Sequence, residues 1–422
     1  MEPTDLLRAL FDAAVAAAGG ERVLPFLPTP PRGRTLVVAA GKAGAAMAQV
    51  VAQHWPAAAA LSGFAVVPYG HGIGPIPRIA TIEAAHPVPD QACMEAGVQI
   101  LAAARLLGAD DLLLCLMSGG ASSLLTVPAA SLSLEDKRAI NRGLLRSGAD
   151  IRTMNAVRKH LSAIKGGRLA VAAAPACLVT LAISDIPGDD IAVIGSGPTC
   201  PDPSTSAEAL AALTRYQIAM PPAVIAHLAD PASETPKPGD PIFARSSTAL
   251  VATPADALAA AAALARSMGV VPIILGDAIE GESAAIGAQM AAQALDYARS
   301  STDRPCVLLS GGETTVTLSA QPNPQARGGR NGEFLLALAI ALGGDQRIYA
   351  LACDTDGIDG SETNAGAIIT PTSLTRLAAQ GMHPEALLAA HASYTAFAAL
   401  GDLIVTGPTR TNVNDFRAIL IV

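Results

Sequence analysis

Apolar positions in this chain gather in short unbroken runs, most of them cut off by glycine or acidic residues, and these runs alternate with stretches of helical spacing. Residues 112–117 read LLLCLM and stop at Ser118-Gly119-Gly120, followed by ASSLL. A continuous apolar run of that kind, bounded by glycine, predicts a strand buried on both faces, as in a parallel sheet. The pattern returns at 307–313, VLLSGGE, where the strand is expected to break into Ser310, Gly311 and Gly312. Further strands are read at 35–40 (TLVVAA), near 64–68 and 79–84, at 177–183, 249–252 and 271–275, and in IYALACD. Helical spacing opens the chain, follows the turn at Gly41–Gly44 as far as about His54, and begins again at about Asn331. Residues 155–170, NAVRKHLSAIKGGRLA, read as one amphipathic helix with Val157, Leu161 and Ile164 on its inner face. Strand, glycine turn and helix in succession is how a doubly wound α/β domain begins.

At 422 residues the chain exceeds one ordinary core, so two domains are expected. Helices and proline-rich turns occupy about 206–241, ending in PASETPKPGDP, after which the strand–helix alternation restarts. That places the boundary near 240: an N-terminal domain over 1–240 and a C-terminal one over 241–422, both α/β, the first with a mainly parallel sheet. Hydrophobic residues make up 51 % of the chain, much of it alanine, yet no stretch offers the run of about 20 apolar residues that a membrane span needs. The acidic, amphipathic opening lacks the basic start of a secretory leader, and a cytoplasmic location is the expectation. The six cysteines stand singly, without metal-site spacing, and read as small core residues. A net charge of −8 argues against a nucleic-acid-binding face but not against anionic small molecules.

Candidate chemistry clusters where strands end. Small or absent side chains at Ser118, Gly119, Gly120 and Ser122 allow a ligand close to the backbone N–H groups, as phosphate-binding turns require. One such turn is equally a plain strand-to-helix corner. Two copies, each paired with a later strand that ends in acids (Asp185, Asp189 and Asp190 in the first half; Asp354, Asp356 and Asp359 in the second), point to a site. Lys42 sits inside the first glycine turn, between Gly41 and Gly44, where an ammonium and a helix N-terminus favour an anion together. Neither GxGxxG nor a P-loop is present there. Arg330 stands between glycines just before a helix, placed for bidentate contact with carboxylate or phosphate. The loop stretch around it, 321–333, reads QPNPQARGGRNGE. The aspartates of DTDGID lack the spacing of a calcium loop and suit Mg²⁺ held together with phosphate oxygens. Arg158, Lys159, Lys165 and Arg168 form a dense basic cluster, either a solvated helix face or a place to meet an anionic substrate.

Taken in order, GKAGAAMA, HPVPD, LMSGGASSLL, NAVRKHLSAIKGGRLA, SDIPGDDIAVIGSGPTCPDPST, LLSGGETTVT, GGRNGEF and ACDTDGIDGSETNAGA resemble the bacterial glycerate 2-kinase family, whose members are often labelled hydroxypyruvate reductase. The resemblance covers nearly the whole chain. It implies a Rossmann-like N-terminal glycerate kinase domain, a C-terminal MOFRL domain and an active site in the cleft between them. It also implies transfer of phosphate from ATP, with Mg²⁺, to the 2-hydroxyl of D-glycerate, giving 2-phosphoglycerate and ADP. The family's catalytic lysine and arginine fall on Lys42 and Arg330. Asp189 is a candidate base or metal ligand; Asp354 and Asp356 are candidate metal ligands. Gly41, Gly44, Ser118, Gly119, Gly120, Ser122, Ser310, Gly311, Gly312, Glu313 and Asn331 are candidates for holding nucleotide or substrate. Two rivals stand beside this: an NAD(P)H-dependent hydroxypyruvate reductase, and a non-catalytic sugar-acid binding protein. The sequence leaves the oligomeric state open, a homodimer being the default expectation.

Overall fold

The leucine- and valine-rich runs form strands because only pairing on both edges satisfies their backbone groups once both faces are buried. The computed structural model describes residues 1–300, 304–318, 323 and 326–422, so Gln321, Pro322, Pro324 and Gln325 of the stretch 321–333 read as loop lie outside the described residues. The chain divides into two units, one of Gly19–Val251 and one of Met1–Ala18 together with Ala252–Val422. No helix among the described residues is long and apolar enough to cross a membrane.

The first unit is built on a six-stranded sheet of β1 (Thr35–Ala40), β2 (Leu61–Pro68), β3 (Ile79–Ala84), β4 (Leu112–Met117), β5 (Cys177–Ile183) and β6 (Ser246–Ala252), in the order β3-β2-β1-β4-β5-β6. The pairs from β3 through β5 are parallel. Ala40, Met117 and Ala182 lie in register, which brings the carboxyl ends of β1, β4 and β5 side by side. Every residue of β1 and β4 is buried. A second, helical core of Ile140, Leu144, Val157, Leu161, Leu213 and Val224 belongs to the same unit.

The stretch 155–170 departs from the single helix its spacing predicts. A helix Ile151–His160 ends with Leu161 as its cap, and a new one starts only at Arg168, after Gly166 and Gly167, which take left-handed backbone with φ of 56° and 79°. Lys159 and Lys165 are buried, so the basic cluster is no solvated face.

The second unit carries a mixed sheet. It is formed by β7 (Val271–Gly276), β9 (Cys306–Gly312), β11 (Ile348–Asp354), β12 (Gly366–Ile369), β13 (Leu403–Ile404) and β14 (Asp415–Ile421), in the order β13-β12-β11-β14-β9-β7. A short parallel pair, β8 (Gly281–Glu282) with β10 (Thr314–Thr315), lies apart. The strand β9 does not break at the second Ser-Gly-Gly. Ser310, Gly311 and Gly312 stay in the strand, aligned with Arg417, Phe416 and Asp415 of β14. The opening helix, Pro3–Ala17, packs on the helix Pro254–Ser267, with Phe11 against Phe416 at 5.9 Å between ring centroids.

Candidate active site

The strand order 3-2-1-4-5-6 reverses direction between β1 and β4, and in open α/β sheets the crevice outside the carboxyl ends at that reversal is where ligands bind. The turn after β1 and the turn after β4 meet there. Gly41, with φ of 113°, lies so close to the second turn that an added Cβ would stand 2.3 Å from Ser118 Oγ and 2.5 Å from Ser118 O. The Lys42 N–H donates to Gly119 O at 2.8 Å, and the Ala43 N–H to Ser118 Oγ at 2.9 Å. Ser118 is thus fully used as a tie between the turns, and Gly44 starts the helix that follows. The N–H groups of Gly119 and Gly120 make no hydrogen bond among the described residues. Gly120 is left-handed, with His86 packed against the place a side chain would fill.

The loop after β5 closes against the same turns. Ser196, in left-handed backbone, shares a hydrogen bond with Ser122 at 2.8 Å and donates to Asn155 Oδ1 at 3.1 Å. Lys165 Nζ donates to Ser122 O, and lies 3.3 Å from Ser122 Oγ. Asp189 is in this loop, with φ of 54°, and its buried Oδ1 has no hydrogen-bond partner. The structure therefore joins Gly41, Lys42, Ser118, Gly119, Gly120 and Ser122, with Asp189 on the adjoining loop.

In the second unit Arg330 is the first residue of the helix Arg330–Leu342, and its guanidinium is held by acids of its own unit. Nε donates to Asp415 Oδ1 at 2.7 Å, Nη2 to Asp354 Oδ2 at 2.8 Å and Nη1 to Glu313 Oε1 at 2.6 Å. Burial disfavours the charge, but the carboxylates of Asp415, Asp354 and Glu313 outweigh it and hold the pKa above the usual arginine value. Asn331 donates from Nδ2 to Asp415 Oδ1 at 2.8 Å, and Asp415 also pairs with the fully buried Arg417 at 2.5 Å. Asp359 accepts from the N–H groups of Asn331 and Gly332, at 3.0 and 2.9 Å, so it caps this helix. Burial pushes its pKa up to about 6. The backbone of Ser310–Gly312 is committed to the sheet, and Gly311 O also accepts from the Ile279 N–H and from Arg417.

Among the described residues no group of three or more His, Cys, Asp or Glu is arranged to hold a metal ion. Mg²⁺ needs no such cage, since it is commonly bound through one or two carboxylates and substrate phosphates. Asp189 fits that part through its unpartnered oxygen. Asp354 Oδ1 accepts from the Asp356 N–H and its Oδ2 from Arg330, while Asp356 Oδ1 accepts from the Ile358 N–H.

Comparison with known proteins decides the kinship. Residues 6–229 match the model of a domain of unknown function, DUF4147, and residues 306–415 match the MOFRL family. A D-glycerate 2-kinase from Thermotoga maritima is 36 % identical over 391 residues, covering 92 % of this chain and 91 % of that protein. This chain belongs to the glycerate 2-kinase family. The crystal structure of a glycerate kinase from Thermotoga maritima superposes with a TM-score of 0.88 at 35 % identity, covering 99 % of both chains. A family relative from Agrobacterium vitis, 54 % identical over 423 residues and covering 99 % of this chain and 94 % of its own, carries the name "Putative hydroxypyruvate reductase".

Several residues that build these sites escaped the sequence reading. Asp415 and Arg417 carry a signal, since two charges alternate at the head of the apolar run DFRAILIV, where a strand would bury both. Asn155 and Ser196 carry none, because polar residues in a helix or loop are ordinary until folding joins them.

Proposed function

We propose that this protein is an ATP-dependent kinase that phosphorylates D-glycerate at its 2-hydroxyl, releasing 2-phosphoglycerate and ADP. Likeness to a D-glycerate 2-kinase along nine-tenths of the chain carries the reading. The glycine turns at the sheet's reversal point support it. In the reaction the bond between the γ-phosphorus and the β–γ bridging oxygen breaks, a bond from the 2-oxygen to that phosphorus forms, and the hydroxyl proton leaves. Such a transfer asks the protein mainly for positioning and positive charge. Lys42 supplies charge beside the Gly119 and Gly120 N–H groups, and Asp189 supplies an oxygen able to take the hydroxyl proton or a metal ion. Mg²⁺, when bound, would be held in part by Asp189 and would neutralise phosphate charge. Turnover on this reading also depends on Arg330, whose three carboxylate partners fix its fork in one orientation. The same reading places the protein in the cytoplasm, with small molecules as its ligands.

The 54 % identical relative's name keeps the reductase reading in view. Coupled ADP release with D-glycerate, run beside NADPH oxidation with hydroxypyruvate, separates the two. ADP release is expected; NADPH oxidation without it would establish the reductase instead. Excess chelator should abolish ADP release, and undiminished turnover in chelator would remove Mg²⁺ from the mechanism. Lys42→Ala should keep its fold by circular dichroism while kcat falls on the order of 10²-fold or more, the scale of losing one electrostatic stabiliser.

A further inference from the structure

A cavity of about 220 Å³ opens beside Gly120 and Ser122, and its wall is strongly cationic for so acidic a protein. Lys137, Arg138, Arg142, Arg158 and Lys165 all line it, with Val157, Leu161, Ile140 and Leu144 as an apolar floor. The two lysines are 8 % and 1 % exposed, and neither meets a carboxylate among the described residues. Lys165 donates only to Ser122, and Lys137 only to Leu161 O at 3.5 Å. Arg158 donates to the neutral Asn141 Oδ1 at 2.8 Å. No acid stands among the described lining residues; Glu135, outside the lining, pairs with Arg142 at 2.6 Å and with Arg138 at 3.8 Å.

Lys159, one residue from Arg158, shows what a structural lysine looks like here: equally buried, it is neutralised by Asp202 at 3.2 Å. Buried cations without a counter-ion are costly, and three basic side chains meet at this one cavity with no carboxylate among the described residues. An anion arriving in the cavity would supply the missing charge. A single carboxylate would not match so many cations, whereas phosphate groups would. The volume admits a three-carbon phospho-acid or the phosphate chain of a nucleotide.

We propose that this cavity is a phosphate-binding subsite, in which Lys137, Arg158 and Lys165 meet the phosphate groups of a phosphorylated small molecule. The choice of ligands rests on the kinase reading, which offers two sources: the nucleotide or the phosphorylated product. Arg158 is partly exposed and Lys137 lies at the wall, so Arg158→Gln and Lys137→Met should both fold, as checked by circular dichroism. Arg105→Gln, an exposed site away from the cavity, controls for lost net charge.

Full-length wild type and variants are titrated calorimetrically with inorganic tripolyphosphate, ATP and 2-phosphoglycerate. At least one probe should bind both cavity variants about tenfold more weakly or worse, the scale of losing one hydrogen bond to a charged group, with the control unchanged. Weakening with tripolyphosphate and ATP assigns the nucleotide, and weakening with 2-phosphoglycerate alone assigns the product. Equal affinities in all three proteins, or no binding of any probe to wild type, overturns the subsite. ADP release by the same wild-type preparation keeps the readings apart. Turnover with cavity-independent binding sinks only the subsite. Cavity-dependent binding without turnover sinks only the kinase.

Discussion

At the scale of single residues, Arg330 and Lys137 show charge handled in opposite ways. Arg330 satisfies three carboxylates, two of them buried at Asp354 and Asp415. Removing it takes a cation from both, although Asp415 keeps Arg417 and Asn331, so Arg330→Ala should lower unfolding free energy by about 3 kcal/mol in urea melts. Arg330→Lys should fall nearly as far, because one ammonium cannot reproduce a three-way fork. A lysine variant with wild-type urea midpoint and wild-type kcat would leave Arg330 without either role. Lys137 instead meets no carboxylate among the described residues: burial first, and then the charge of Arg158, push its pKa down to about 7. The unfolded chain would hold that proton to about pH 10. Between those values the unfolded state binds more protons, so stability rises with pH across the window and its penalty is fully present below pH 7. Urea midpoints without phosphate should therefore increase from pH 7 to 9, and Lys137→Met should flatten the rise. An equal rise in the variant would assign the dependence to other groups.

At the scale of elements, the decisive contacts are between turns. Gly41 permits the turn after β1 to touch the turn after β4, since an alanine there would need φ of 113° and a Cβ 2.3 Å from Ser118 Oγ. Gly41→Ala should cost roughly 1–2 kcal/mol for the backbone alone, and more for the displaced serine. Its signature should be a kcat loss disproportionate to the change in melting temperature, because the Gly119 and Gly120 N–H groups move with Ser118. Unaltered kcat in a destabilised variant would show that this junction is architectural. The left-handed pair Gly166-Gly167 works similarly, turning the chain directly after Lys165, which points to Ser122, into the helix that starts at Arg168.

At the scale of the whole molecule, the first helix belongs with the end of the chain. Leu6, Leu7, Leu10 and Phe11 are buried within the unit that contains Ala252–Val422. Each such side chain contributes roughly 1.5–3 kcal/mol. A chain lacking residues 1–18 should consequently exchange backbone amides faster in β11 and β14, the strands this helix touches, when followed by hydrogen–deuterium exchange. Faster exchange confined to β1–β5 would contradict that assignment.

The sequence alone determined what depends on local pattern. Unbroken apolar runs had to become strands, so β1, β4, β5, β7 and β11 were legible almost to the residue, although β7, at the sheet edge, is only partly buried. The turns with Lys42 and Ser118–Gly120 were legible for the same reason, since glycine after such a run leaves backbone open to a ligand. Ordered motifs made the family readable as well. Tertiary structure decided what depends on pairing between distant segments. The second Ser-Gly-Gly looked like the first, but β14, about a hundred residues later, offers it a partner strand and so keeps it extended. Lys159 and Lys165 looked alike as members of one basic cluster, yet Asp202 neutralises one and, among the described residues, no carboxylate pairs with the other. A charge reveals its role through the partner it finds, and that partner is set by the fold, not by its neighbours in the chain.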